Sequence, residues 1–373
     1  MKAGNKILLI ACMVGLTAGS LSYAQPSLKQ PNVSANALFL YRNSNFNGEH
    51  NSTTRNGVDI QEAEIAFYSD VDPYSRLNVL VSVHPEYELN AAKTEVEKQN
   101  WIFEPEELYA ESNHVSKVTL KLGKFKGAMG RHNSLHTHAF PFVEAPLMNT
   151  TLLGEEGLND PGISAAYLLP TPWYSELIGQ YLRGEGENSG FNSPTPGDGI
   201  GLVRWRHLWD LSDDTTFELG MSGARGANSL RGTTTLGGAD VTLKWRPSVG
   251  GKYQSFILAG EFLDRRREQA DDVAAELGTG WNAWVQYQLA QRWLTSFRYD
   301  HLRMINSADT TAIVNGQKDK YTGGLTFAAT EFSSMRLEYS WGRGEANAKG
   351  EKTEQTVLVQ ANFTIGAHPS HTY

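Results

Sequence analysis

Apolar and polar residues alternate strictly along many short stretches of this chain. In "MRLEYSWGRG", Met335, Leu337, Tyr339 and Trp341 share one parity, and Arg336, Glu338, Ser340 and Gly342 share the other. In "TVLVQANFTIG", Val357, Val359, Ala361, Phe363 and Ile365 alternate with Leu358, Gln360, Asn362 and Thr364. "SRLNVLVSVH" sets Leu77, Val79, Val81 and Val83 against Arg76, Asn78, Leu80 and Ser82. A period of two sends successive side chains to opposite faces, so these are strands with one apolar and one polar face. "ADVTLKWR", "TFELGMSG", "GWNAWVQYQLA", "WLTSFRYDH" and "QEAEIAFYS" repeat the pattern. "LFLYR" and "ISAAYLLP" are apolar on both parities, and "SELIGQYLR" alternates only in part. No stretch of helical period longer than about three turns separates them.

The pattern predicts about 16 strands, an even number of the kind bacterial outer-membrane barrels use. The connections alternate in length. Short polar turns occur at "DVDPYSR", "SNHVSK", "PTPWY", "LSDDT", "PSVGGK", "LAQR" and "TEFSS". Long ones occur at "NFNGEHNSTTRN", "HPEYELNAAKTEVEKQNW", Gly130–Gly157, "GEGENSGFNSPTPGDG", "RREQADDVAAELGTG", "NSADTTAIVNGQK" and "GEANAKGEK". Short turns at one rim and long loops at the other mark an all-β, transmembrane antiparallel β-barrel of the porin type. Tyr74, Trp173, Tyr174, Trp209, Trp245, Trp293 and Phe332 lie beside the short turns. That is where an aromatic girdle meets the membrane interface.

If the apolar parity faces lipid, the other parity lines the interior. Arg76, Lys121, Arg204, Arg206, Lys244, Arg246, Arg265, Arg298 and Arg336 fall there, with Glu62, Glu64, Glu107, Glu111, Glu176, Glu218, Asp240, Glu261, Asp300 and Glu338. An Arg facing lipid near the midplane costs ~2–4 kcal/mol, so the parity of the charges identifies the inner face. In a packed interior each ion loses several kcal/mol of hydration. A water-filled lumen is therefore the expectation, although any single pair reads equally well as a cross-strand salt bridge.

The first residues read as an export signal. Lys2 and Lys6 precede the apolar run "ILLIACMVGLTAG", and "SYA" places cleavage after Ala24, leaving residues 25–373 as the barrel. "LIAC" ending at Cys12 loosely matches a lipidation box, but its apolar run is short for one. Cys12 is the single cysteine, so the processed chain has no disulfide and no Cys-ligated zinc. Loss of Lys2 and Lys6 moves the formal charge from −8 to −10, which gives no electrostatic case for nucleic acid.

The connection Gly130–Gly157, "GRHNSLHTHAFPFVEAPLMNTTLLGEEG", follows neither period and carries His132, His136 and His138 with Glu144, Glu155 and Glu156. Imidazole and carboxylate together suit Zn²⁺, and His136 and His138 would point the same way in an extended segment. The plain alternative is a structural loop whose histidines bond to the barrel wall or to loop carbonyls. No Gly-x-Ser-x-Gly elbow and no His-Glu-x-x-His motif is present, so the sequence argues against an enzyme.

"LKLGKFKGAMGRHNSLHTHAFPFVEAPLMNTTLLGEEGLNDPGISAAYLLP" resembles the phosphate-selective porin O/P-like group, and within it the outer-membrane proteins labelled zinc-regulated. The shared features are the Leu-Lys-x-Gly-Lys-Phe strand, His136-x-His138-Ala139-aromatic, Leu152–Gly154, and Leu168–Pro170. The resemblance covers residues 56–186 and implies a sixteen-stranded porin whose third long loop, 130–157, folds inward as a constriction. Two departures stand out. No lysine-rich inward ladder is present, and "AHPSHTY" follows Ile365–Gly366, leaving Phe363 and Tyr373 as candidates for the terminal assembly aromatic.

Three functions compete. The first is a channel for passive diffusion of small hydrophilic solutes or ions, set in the lipid and lipopolysaccharide of the outer membrane and assembled as a homotrimer. The second is a zinc-linked uptake protein using the His/Glu loop. The third is a non-porous barrel, an adhesin or envelope enzyme. An energy-coupled receptor needs an N-terminal plug and about 22 strands, and a first strand near Asn36 leaves no room for a plug.

Overall fold

The computed structural model describes residues 31–46, 55–89, 96–112, 114–184, 190–193, 195, 197–270, 273–306, 316–343 and 352–366. Residues 1–24, expected to be an export signal, lie outside the described residues, as do Cys12 and Tyr373. The strands are β1 Asn32–Ser44, β2 Gly57–Asp70, β3 Arg76–Leu89, β4 Val96–Ser112, β5 Val118–Lys126, β6 Asn159–Leu168, β7 Tyr174–Leu182 and β8 Ile200–Ser212. They continue as β9 Thr215–Ala227, β10 Thr233–Trp245, β11 Phe256–Arg267, β12 Glu276–Ala290, β13 Trp293–Ile305, β14 Gln317–Thr330, β15 Ser333–Arg343 and β16 Thr353–Gly366. Each pairs antiparallel with its sequence neighbours, and β1 pairs with β16 to close the barrel. The sixteen-stranded antiparallel barrel expected from the alternation is what forms.

Closure satisfies every strand edge, which a sheet surrounded by hydrocarbon requires. The parities fall as read from sequence. Met335, Leu337 and Tyr339 stand exposed on the outer face, while Glu338 and Ser340 are buried inside. Tyr74, Trp173, Trp293 and Phe332 are exposed beside the short turns. Tyr174 departs from the girdle expected for it: its ring faces inward, and its hydroxyl accepts from Arg206 Nη2 at 2.8 Å. A second aromatic row, Trp281–Tyr299–Tyr321–Trp341, runs toward the long-loop rim with centroids 5.0, 4.8 and 5.9 Å apart.

Two long connections are shorter than the sequence suggested. β3 and β4 extend through most of "HPEYELNAAKTEVEKQNW", and β11 and β12 through much of "RREQADDVAAELGTG". Backbone pairing continues past the apolar band, where polar side chains no longer betray a strand. Residues 228–232, between β9 and β10, form a tight turn at the long-loop rim that the alternation of lengths did not anticipate.

Two register shifts shape the interior. Leu38 faces Glu62 while Phe39 faces Ile60, so Gln61 is an extra residue in β2. Leu80 faces Glu107 while Val81 faces Pro105, so Glu106 is an extra residue in β4. A bulge of this kind re-aims the side chains beside it. Glu106 and Glu107, adjacent in sequence, both contact the same inward histidine as a result.

Candidate functional site: a loop anchored across the lumen

Residues 127–158 leave β5, cross the interior and return to β6. Asn133 ties the two ends together: its Nδ2 donates to the carbonyls of Gly127 and Leu158, at 2.8 and 3.0 Å, and its Oδ1 accepts from Leu158 N. Gly130 turns the chain at φ 68°, and a Cβ there would meet Glu261 Oε1 at 1.9 Å. Only glycine combines that backbone with that approach. Beyond it come single 3₁₀ turns at His132–Ser134 and Thr137–Ala139, then α1, Leu147–Leu153.

Inward wall residues receive the loop on several sides. His132 N donates to Glu261 Oε2 of β11 at 3.0 Å, and Gly130 N to Ser222 Oγ of β9 at 3.0 Å. Val143 N donates to Glu338 Oε1 of β15 at 3.0 Å. Arg298 of β13 donates to the Glu144 carbonyl, and Arg265 of β11 to the carbonyls of Thr151 and Leu152. Lys320 of β14 pairs with the Glu144 carboxylate. The loop also seats Met129, Met148, Leu152, Leu153 and Leu158 against inward Leu202, Leu236, Leu263 and Leu302.

This changes the expectation of a lumen in which each ion is bathed by water. Arg204 is 4% exposed and bound to Asp240 by two hydrogen bonds, at 2.7 and 2.9 Å; Arg298 is 1% exposed, 2.7 Å from Asp300. Their desolvation is offset by geometrically complementary partners. Other proposed lining residues keep more contact with solvent. Arg206 lies 3.7 and 3.9 Å from Glu176 and Glu218, and Lys244 and Arg336 are half-buried. Arg76 pairs with Asp70 at the short-turn rim. Arg246 does not line the wall: β10 ends at Trp245, and Arg246 folds onto the Gly251 carbonyl at 3.0 Å.

The lysines of the Leu-Lys-x-Gly-Lys-Phe motif, and Lys126 just after it, face glutamates of β4. Lys121 lies 3.4 Å from Glu111, Lys124 2.7 Å from Glu104, and Lys126 2.7 Å from Glu106. Next to Lys126 is a cluster of ionisable groups. Glu62 and Glu64 enter it from β2, Glu106 and Glu107 from β4, and His136, Thr137 and His138 from the loop. His136 Nδ1 lies 3.0 Å from Glu106 Oε1, and its Nε2 lies 3.2 Å from Glu107 Oε2. His138 Nδ1 lies 2.6 Å from Glu64 Oε2, and Thr137 Oγ1 donates to Glu62 Oε2 at 3.0 Å. The two imidazole planes are parallel within 2°, with centroids 6.0 Å apart.

Of the candidate metal ligands, His136 and His138 therefore come together. The carboxylates in contact with them are Glu64, Glu106 and Glu107 of the barrel wall; Glu155 and Glu156 are exposed after α1, and Glu156 reaches the cluster through its charge on Lys126 and Glu62. His132 is apart, buried with its ring 4.4 Å from Phe140. Sequence reading missed Glu106, because strict alternation sends it outward beside an inward Glu107 and only the bulge brings it in.

Burial, with Arg298 and Lys126 as further causes, holds His132 well below the ordinary imidazole value, so it is neutral. Burial also opposes charge on His136, but Glu106 and Glu107 outweigh it and raise that ring well above the ordinary value. His138 is pushed down to about 3 by burial and by charge on His136. Burial raises Glu144, yet Lys320 prevails and holds its carboxyl below the usual range.

No family model matches the chain. A protein of Aquifex aeolicus (strain VF5) described as uncharacterized is 27% identical over 383 residues, covering 90% of this chain and 74% of that one. Among solved structures, the anion-selective porin from Comamonas acidovorans aligns at TM-score 0.58 and 9% identity, covering 90% of this chain and 99% of that one. OprB of Pseudomonas putida aligns at 0.58 and 7% identity, with 90% and 94% covered. The outer-membrane channel DcaP of Acinetobacter baumannii aligns at 0.57 and 11% identity, with 90% and 97% covered. At such low identity these likenesses concern architecture, and the architecture they share with this chain is the outer-membrane porin barrel.

Proposed function

We propose that the protein is a porin-like channel of the bacterial outer membrane, passing small hydrophilic solutes or ions by diffusion, with residues 127–158 as its constriction. The observation that carries this reading is the loop tied to inward polar and charged side chains of β9, β11, β13, β14 and β15 inside a closed sixteen-stranded barrel. A barrel of this strand number encloses a channel wherever nothing fills it. The reading includes no catalysis: the inward charges support the loop and one another.

Residues 1–24 act as an export leader in this reading, and lipid with lipopolysaccharide surrounds the apolar outer face. A homotrimer is part of the proposal; an outer-membrane OmpT of Vibrio cholerae with the same barrel fold (TM-score 0.53, 10% identity, 90% and 99% covered) has a trimer form. General rather than phosphate-selective passage is favoured by the Lys121–Glu111, Lys124–Glu104 and Lys126–Glu106 pairs, which leave no inward lysine ladder at that motif. Planar-bilayer recording of the folded protein tests the reading. Stepwise currents with a definite reversal potential in a salt gradient are the expected outcome; folded barrels that insert and stay silent would overturn it.

A further inference from the structure

We propose that Glu64, Glu106, His136 and His138 form a divalent-cation site of zinc type that joins the constriction loop to the barrel wall. The ligand atoms of Glu64, Glu106 and His136 lie within 4.8 Å of one another, and all three residues are buried. His138 adjoins this trio through Glu64, at 2.6 Å. Two imidazoles with two carboxylates make a donor set suited to Zn²⁺.

A second observation points to a ligand. Glu64 is 2% exposed, and no N–H or alcohol O–H donor among the described residues hydrogen-bonds its carboxylate. Glu106 is 3% exposed; Lys126 and His136 approach its Oε1, while its Oε2 receives no hydrogen bond there. A buried carboxylate oxygen without a donor is costly and calls for a reason. A cation between Glu64 and Glu106 Oε2 supplies one. Charge agrees: the acidic side chains of Glu62, Glu64, Glu106 and Glu107 converge here, and Lys126 is paired with Glu106. With Nδ1 of His136 turned toward Glu106, its Nε2 faces Glu107 at 3.2 Å, the outer carboxylate that orients a metal-bound imidazole. Binding would displace protons from the histidines.

The bulges explain why such a site escapes a search of sequence spacing. Its ligands come from β2, β4 and the loop, and Glu106 enters only as the extra residue of its bulge. Metal would link the loop to two wall strands and hold it across the lumen.

The test uses the folded full chain in detergent, stripped with chelator, dialysed against Zn²⁺ and read by elemental analysis and zinc-edge X-ray absorption. Because binding is read without conductance, it stands or falls separately from the channel reading. The expected result is a single retained Zn²⁺ per chain with two imidazoles in its shell. Glu107→Gln should weaken binding on the order of 10–100-fold, and Glu155→Gln with Glu156→Gln should leave a single Zn²⁺ retained. His136→Asn with His138→Asn should lose the metal while heat-modifiable migration reports a folded barrel. The proposal is overturned if the parent retains no zinc, if the shell holds only oxygen, or if the folded double variant binds like the parent. Should the double variant not fold, the parent's shell and the Glu107→Gln affinity decide.

Discussion

Arg298 Nη1 donates to the carbonyl oxygen of Glu144 at 2.8 Å, joining β13 to a loop residue 154 positions earlier. The same guanidinium donates through Nε to Asp300 at 2.7 Å and covers the Phe142 ring at 4.6 Å. One side chain thus serves as ion-pair partner, carbonyl donor and cation over an aromatic. Its neighbour Asp300 accepts from Leu147 N at 3.3 Å, so the pair grips the loop at two points.

Arg298→Gln should therefore loosen the loop while leaving the barrel closed. Asp300, 1% exposed, loses its charged partner, and breaking a buried pair costs ~3–5 kcal/mol. The expected outcome is faster proteolytic cleavage within residues 140–150 and larger current fluctuations, with heat-modifiable migration retained. Cleavage at the parent's rate would show that the apolar contacts of the loop suffice without this anchor.

Charge should be tolerated on one parity only. Val359 lies on the outer face of β16, between inward Leu358 and Gln360, so Val359→Arg should impair assembly by the ~2–4 kcal/mol of a lipid-facing cation. Lys244→Glu, on the inner parity of β10, should assemble normally and shift the reversal potential toward cations. Gln360 is a poorer probe than its parity suggests: it is 3% exposed and donates to Gln61 at 2.7 Å. Equal folded yields of Val359→Arg and Lys244→Glu would refute the assigned register.

Loop docking should weaken in mild acid through His132. Glu261 of β11 accepts from its backbone, Arg298 of β13 and Arg131 line the same small cavity, and Lys126 acts at longer range. Its pKa when docked lies well below the ordinary value, against ~6.5 when released. The released state therefore takes up a proton that the docked state excludes. Stability conferred by neutral His132 is complete above pH ~6.5 and declines as pH falls below it, by at most ~1.4 kcal/mol per pH unit. Proteolysis of the loop measured from pH 7.5 to 5 should accelerate, and His132→Gln should flatten that dependence. An unchanged slope in the variant would assign the acid effect to other groups.

The local pattern determined the barrel. A period of two leaves each strand one apolar face, and no short edge can remain open in hydrocarbon, so the alternation around Val359 or Leu337 carries both strand and parity. It also marked Gly130–Gly157 as a segment of neither period. What occupies the lumen was decided by tertiary structure. Leu202, Leu236, Leu263 and Leu302 sit on the inner parity and pack against the loop, whereas pattern alone expects polar groups facing water. The partners of His136 and His138 depended on bulges at Gln61 and Glu106. A single inserted residue shifts every later side chain to the other face, and its position is set by pairing with a neighbouring strand, an interaction between residues far apart in the chain.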